Sequence, residues 1–177
     1  NGIFANASAG GVTVQGNAEI TGAKSAIIAL GSGAVLIDGN TSLTGTTDVA
    51  VYATGNSVTY SNNGPTTGGK DGIVLGGVSS VSVTGNGAIA ANGGAGLNAS
   101  ASAGTVTIQN NATITGTTMG ISAGGPGAVR IIGNGNITGS SGDGINAYNL
   151  AGGTPSITIQ GNADIHGNTN GINAGTA

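Results

Sequence analysis

Residues 106–116 have the sequence VTIQNNATITG, and close copies occur at 12–22 as VTVQGNAEITG and at 157–167 as ITIQGNADIHG. Each copy contains two β-branched apolar residues separated by one residue, a Gly-Asn or Asn-Asn pair, and a final Ile-Thr-Gly or Ile-His-Gly. Apolar alternation with period 2 over short segments, interrupted by glycine and asparagine, indicates short β-strands and not helices. The recurrence indicates that the phrase is a structural unit.

The phrase recurs at a nearly constant spacing, which is the signature of a solenoid. The steps in residue number are 23, 23, 23, 25, 23 and 28, counted between the phrase starts Val12, Val35, Val58, Val81, Val106, Val129 and Ile157. We therefore expect an all-β fold, a right-handed single-stranded parallel β-helix of about seven coils with three short strands per coil. Residues 1–177 would form a single domain, and at about 4.8 Å per coil the rod would be about 34 Å long.

Stacking at this period places equivalent residues above one another in four inward-facing columns. Two columns begin at Val12 and Val14, a third at Ile20 and a fourth at Ile27. Tyr60 is the bulky exception in the second column, and its coil has Thr66 where most coils have Ile or Leu in the third. We interpret the small residue as compensation for the large one within one layer of the core.

An asparagine column is the most regular feature of the repeat. The residue before each of these asparagines is Gly or Asn, two residue types that tolerate positive φ and therefore suit a tight corner. Stacked side-chain amides can pass hydrogen bonds from one coil to the next. The sequence thus predicts a structural ladder made of Asn17, Asn40, Asn63, Asn86, Asn111, Asn134 and Asn162.

The composition excludes several classes of function. Only 5% of the residues are charged, the net charge is −3 and Lys24, Lys70 and Arg130 are the only Lys or Arg residues, which argues against a nucleic-acid partner. No apolar run reaches the ~18 residues of a membrane span, and no signal peptide is recognisable. The absence of cysteine excludes disulfides and cysteine-ligated zinc, and we expect no cofactor. Because the repeat is interrupted at the last residue, we expect the sequence to be part of a longer chain.

The unit G-I-x-A followed by V-x-I-x-G-N-x-x-I-T-G, seen here at 120–123 and 129–139, resembles the passenger domains of bacterial autotransporters. The resemblance covers nearly all of the chain, although β-helices of phage tailspikes and polysaccharide lyases share the architecture. It implies export to the Gram-negative cell surface and attachment to the outer membrane through a C-terminal barrel that is absent from this chain. It also implies adhesion to a host-cell or glycan receptor, or self-association in biofilms, and it carries over no catalytic residue.

No segment of the sequence has a convincing catalytic motif. Segment 64–70 (GPTTGGK) has the spacing of a phosphate-binding loop, but Asp71 replaces the Ser or Thr that would bind Mg²⁺. Asp48 and Asp71 are separated by one repeat length and hence lie on adjacent coils, with Lys70 beside them. They are either a weak Ca²⁺ site or solvated corner residues balanced by lysine. His166 lacks a second histidine, so we interpret it as a surface residue.

Two features suggest an interaction surface. The outward position x of G-I-x-A is apolar on four successive coils (Phe4, Ile28, Tyr52 and Val74) and polar on the next four (Asn98, Ser122, Asn146 and Asn173). Such an apolar patch often marks a contact surface, although a neighbouring segment could equally cover it. The two longer steps of the repeat place insertions near 93–103 and 146–155, and the second offers Tyr148 and Leu150 for binding unless it is a loop without function.

The sequence therefore leads to one principal hypothesis and two alternatives. The principal hypothesis is a non-enzymatic, surface-exposed rod of an autotransporter adhesin, whose partner is a host receptor or another copy of itself. A glycan-active or tailspike-like fragment would instead need acids that converge on one groove. A structural spacer would have its binding residues elsewhere in the longer chain.

Overall fold

The computed structural model is a right-handed parallel β-helix of about seven coils, which confirms the fold predicted from the period. The structure describes residues 1–149 and 156–176, and the regular structure within these ranges consists of strands. No helix in the described ranges has the length and apolar character needed to cross a membrane.

The strands stack on three faces, so that each coil passes through face 1, face 2 and face 3 in turn. Face 1 contains β1 (Ile3–Ala7), β4 (Ile27–Gly31), the start of β7 (Val51–Ser61), the start of β9 (Ile73–Thr84), β11 (Leu97–Ala101), β14 (Ile121–Gly125), β17 (Ile145–Asn149) and β20 (Ile172–Thr176). Face 2 contains β2 (Val12–Gln15), β5 (Ala34–Asp38), the ends of β7 and β9, β12 (Thr105–Gln109), β15 (Val129–Ile132) and β18 (Ile157–Gln160). Face 3 contains β3 (Glu19–Gly22), β6 (Ser42–Gly45), β8 (Thr66–Gly68), β10 (Ile89–Ala91), β13 (Ile114–Gly116), β16 (Ile137–Gly139) and β19 (Ile165–Gly167).

Strand pairing is parallel and in register with the repeat. Val58 pairs with Val35 below and Val81 above, for example. The long strands β7 and β9 continue through the corner between faces 1 and 2, so these two faces form one 13-stranded sheet, while face 3 is a separate 7-stranded sheet. The predicted inward columns are confirmed, because their members are buried through the middle of the rod and pack as one continuous core.

The layer that contains Tyr60 shows how the core accommodates its largest side chain. Tyr60 and Thr66 are both fully buried, and their hydroxyl groups hydrogen-bond to each other. Burial raises the pKa of the Tyr60 phenol, because the phenolate would lose its hydration. The small residue at 66 thus provides both space, as the sequence predicts, and a polar partner, which the repeat pattern does not indicate.

The asparagine ladder is continuous from Asn17 to Asn162. The side-chain Nδ2 of each asparagine donates to the Oδ1 of the asparagine on the next coil over 2.8–3.2 Å. The backbone N–H of the same asparagine donates to that Oδ1 as well. From the second member onward, Nδ2 also donates to a face 2 carbonyl of the coil below. The inner asparagines are almost fully buried, and their amides therefore satisfy both their own polar atoms and those of the corner backbone.

The residue before each ladder asparagine adopts positive φ, between 52° and 66°. Five of these residues are glycine and two, Asn62 and Asn110, are asparagine. This is the left-handed region that glycine and asparagine tolerate best, so the corner explains why the repeat uses only these two residue types there.

We predict that Asn111→Ala lowers the free energy of unfolding by about 3–5 kcal/mol. The substitution removes the Oδ1 that accepts from the backbone N–H and the side-chain amide of Asn86. It also removes the Nδ2 that donates to the Val83 carbonyl and to the Asn134 Oδ1. Each of these buried groups then lacks one hydrogen-bond partner inside the rod. Guanidinium titration followed by circular dichroism measures the change. Asn17→Ala, at the exposed end of the ladder, is the matched control and should cost about 1 kcal/mol; equal losses at both positions would contradict the ladder's role.

The Tyr60 layer gives a second prediction, made with a double-mutant cycle. Tyr60→Val should cost about 3–5 kcal/mol because it opens a cavity, and Thr66→Ile should cost about 1–3 kcal/mol because it overfills the layer. Combining them restores the residues typical of other coils, so the double variant should be more stable than the sum of the two losses by about 2 kcal/mol or more. Simple additivity of the two losses would show that the side chains do not share one space.

Candidate interaction surface

The predicted apolar stripe is a single column on face 1. Phe4 pairs with Ile28, Ile28 with Tyr52, and Tyr52 with Val74, all on adjacent parallel strands. Phe4 is 61% exposed and Tyr52 is 37% exposed, whereas Ile28 and Val74 are half-buried. The polar half of the same column continues through Asn98 and its successors on the later coils.

A charged depression borders the stripe on the side of the preceding corner. This depression of about 320 Å³ is lined by Ser25, Ile28, Asp48, Val49, Tyr52, Lys70, Asp71 and Val74. The structure thus brings together two features that are separate in the sequence, the apolar stripe and the acidic pair. An apolar floor with a few polar groups at its rim is the usual composition of a binding surface.

The acidic pair lines the charged depression from two adjacent coils. Val51 pairs with Ile73, which is one position short of the repeat period, and the backbone N–H of Lys70 donates to the Asp48 carbonyl on the coil below at 3.2 Å. The Asp71 carboxylate accepts a 2.8 Å hydrogen bond from the backbone N–H of Ala95, on the coil above and away from Asp48. The described residues also contain no group of three or more His, Cys, Asp or Glu that could hold a metal ion, so a Ca²⁺ site has no support here beyond the sequence.

A second depression borders the stripe on the other side, and no motif in the sequence predicts it. This glycine groove of about 550 Å³ crosses four coils and is lined by residues 31–32, 54–56, 76–78 and 100–102. Its lining is uncharged, and Val78 at its edge is 50% exposed. The available signal is that most residues two to four positions after each stripe residue are small (Gly, Ala, Ser, Thr or Asn), a composition that is equally typical of a corner.

The two predicted insertions differ in what they contribute. The first adds residues at two corners around β11, and Ala101 and Ser102 in this region line the glycine groove. In the second, Tyr148 lies at the end of face 1, half-buried and paired with Gly124 on the coil below. Leu150 and the rest of that insertion lie outside the described residues, so its predicted role in binding stays a prediction.

Two acidic residues away from the stripe form local hydrogen-bonding clusters. Asp143 is buried and accepts hydrogen bonds from the side-chain amides of Asn170 and Asn173. Asp38, at the ladder corner, accepts hydrogen bonds from the Ser61 hydroxyl at 2.7 Å and from the amide of Asn62 at 3.0 Å. These contacts, Ser61 first, hold the pKa of Asp38 below its ordinary value of 3.8. Both clusters have the character of structural contacts between coils.

Comparison with known proteins finds no matching family model, no matching curated protein and no matching solved structure. The resemblance to autotransporter passengers therefore stays a prediction that rests on the repeat unit. The fold and the composition of face 1 provide the remaining evidence about function.

We predict that the Asp38 carboxyl titrates below pH 3.8 in the folded protein. Because its pKa is lower folded than unfolded, Asp38 contributes stability above the unfolded pKa, and this contribution is lost as the pH falls through the folded pKa. An NMR titration of the side-chain carboxyl carbon measures the midpoint. Ser61→Ala should raise the pKa of Asp38, because it removes the strongest hydrogen bond; a midpoint at or above 3.8 in the wild-type protein would contradict the assignment.

Proposed function

We propose that this chain is a non-enzymatic β-helical rod that acts at a cell surface as an adhesive module, binding through face 1 of coils 1–5. The observation that carries the proposal is the position of the apolar stripe between the charged depression and the glycine groove. Together these features form one uneven surface, with the Tyr52 ring between the two depressions and the exposed Phe4 ring on its first coil. The same column is polar on the later coils, so its apolar half is a local departure from an otherwise regular repeat.

The mechanism is geometric. The stacked coils form a stiff support, so the side chains on face 1 keep fixed positions and lose little conformational entropy on binding. Weak contacts repeated along a rod, and over many rods on one cell, add up to avidity. The low charge of the chain also leaves little long-range repulsion between the rod and a partner surface.

The resemblance to autotransporter passengers favours the Gram-negative cell surface as the place where the rod acts. The partner would be a host-cell receptor, a glycan or another copy of the rod. Glycan cleavage receives less support, because paired carboxylates are the usual requirement and the Asp71 carboxylate already accepts a hydrogen bond from the Ala95 backbone N–H.

Tyr52→Asp tests the proposal. Beads coated with the protein are scored for clumping and for binding to host cells, and the charged side chain should raise the protein density needed for either response by about tenfold or more. Thr59→Asp places the same charge on an outward position of face 2 and should leave binding unchanged.

Two outcomes would contradict the proposal. Unchanged binding by Tyr52→Asp would exclude the stripe as the contact surface. Wild-type beads that neither clump nor bind cells would leave the spacer alternative.

A further inference from the structure

The glycine groove has an open floor above Gly76. A Cβ atom built on Gly76 would meet only the Thr54 Cγ2, at 3.5 Å, which is an ordinary van der Waals contact. The neighbouring Gly77 is different, because a Cβ there would clash with the Ser80 carbonyl oxygen. The space above Gly76 is therefore a slot that a side chain can enter without displacing the backbone.

An equivalent slot two coils further along the rod is filled by the chain itself. Gly76, Ser100, Gly124 and Tyr148 are successive members of one outward column on face 1. The Tyr148 ring lies directly on Gly124, since a Cβ on that glycine would overlap the ring atoms. The Gly76 slot differs because the residue above it is Ser100, whose side chain has no ring to cover the glycine.

The chain also exposes the kind of group that fits such a slot. Phe4 and Tyr52 are exposed aromatic residues on face 1, in the column immediately beside that of Gly76. A surface that carries both the inserting group and the receiving slot is self-complementary, so a twofold pair makes the same contact twice. The uncharged lining of the groove imposes little desolvation penalty on an entering ring.

We propose that the Gly76 slot receives an aromatic ring from face 1 of a second copy of this chain, so that two rods pair through face 1. The inference rests on the proposed function and names the partner of the same surface. The ring would lie on the glycine as Tyr148 lies on Gly124, with the stripes of the two copies in contact beside it.

Sedimentation equilibrium of the purified protein over a concentration series tests the pairing. Wild type should show a monomer–dimer equilibrium, and Ser100→Tyr should raise the dimer dissociation constant by about tenfold or more, because its own ring covers Gly76. Gly76→Leu fills the slot by a different route and should act in the same direction, as should Phe4→Ala combined with Tyr52→Ala through loss of the inserting rings. Ser82→Tyr adds the same ring to an outward position of face 2 and should leave the equilibrium unchanged.

The failure of this inference is distinguishable from failure of the proposed function. A wild-type protein that stays monomeric up to about 1 mM, the limit of weak association, would overturn the pairing, as would a Ser100→Tyr variant that dimerises like wild type. If Tyr52-dependent binding to host cells persists in that case, the adhesive function stands with a foreign partner. Matching thermal unfolding of all variants by circular dichroism confirms that the comparison is between folded proteins.

Discussion

The constraint on which this structure depends is that each coil must present the same hydrogen-bonding edge and the same core side chains as the coil below. The asparagine ladder expresses this constraint most fully, because one amide serves the coil below, the coil above and the corner backbone at once. A residue that breaks the register would leave several buried polar groups without partners, which costs far more than one hydrogen bond contributes. The repeat persists because every coil is the template for its neighbours.

The same constraint separates structural positions from positions free to carry function. Inward columns and corners are fixed by packing and by φ, so variation is concentrated on the outward positions. The stripe column of face 1 uses this freedom unevenly, with aromatic and aliphatic residues on the first four coils and amides and a hydroxyl on the later ones. Of the later amides, Asn173 bonds to Asp143 between coils, whereas Phe4 and Tyr52 on the early coils are exposed, and this is the main reason to place binding there.

The sequence was sufficient to predict the architecture, the inward columns, the corner and the ladder, because each follows from a residue type recurring at one period. The sequence was not sufficient to predict which residues are neighbours where one coil is a single residue longer or shorter than the next. The step between Val51 and Ile73 is one residue shorter than the repeat, and the Asp71 carboxylate bonds to the Ala95 N–H on the coil above; the repeat pattern indicates neither feature. The slot above Gly76 could not be predicted from the sequence either. It is open because the residue on the next coil, Ser100, is small, and no local sequence motif indicates which residue lies on the next coil.

Engineered disulfide formation tests the stacking of coils most directly, because the natural chain has no cysteine. Thr115 and Thr138 are register partners on β13 and β16, so their Cα atoms should lie about 5 Å apart, within disulfide range. The account predicts rapid, complete cross-linking of the Thr115→Cys/Thr138→Cys variant and none of Thr115→Cys/Thr107→Cys, whose cysteines are closer in sequence but lie on different faces. Failure of the first pair to cross-link in folded protein, or equal cross-linking of both pairs, would contradict it.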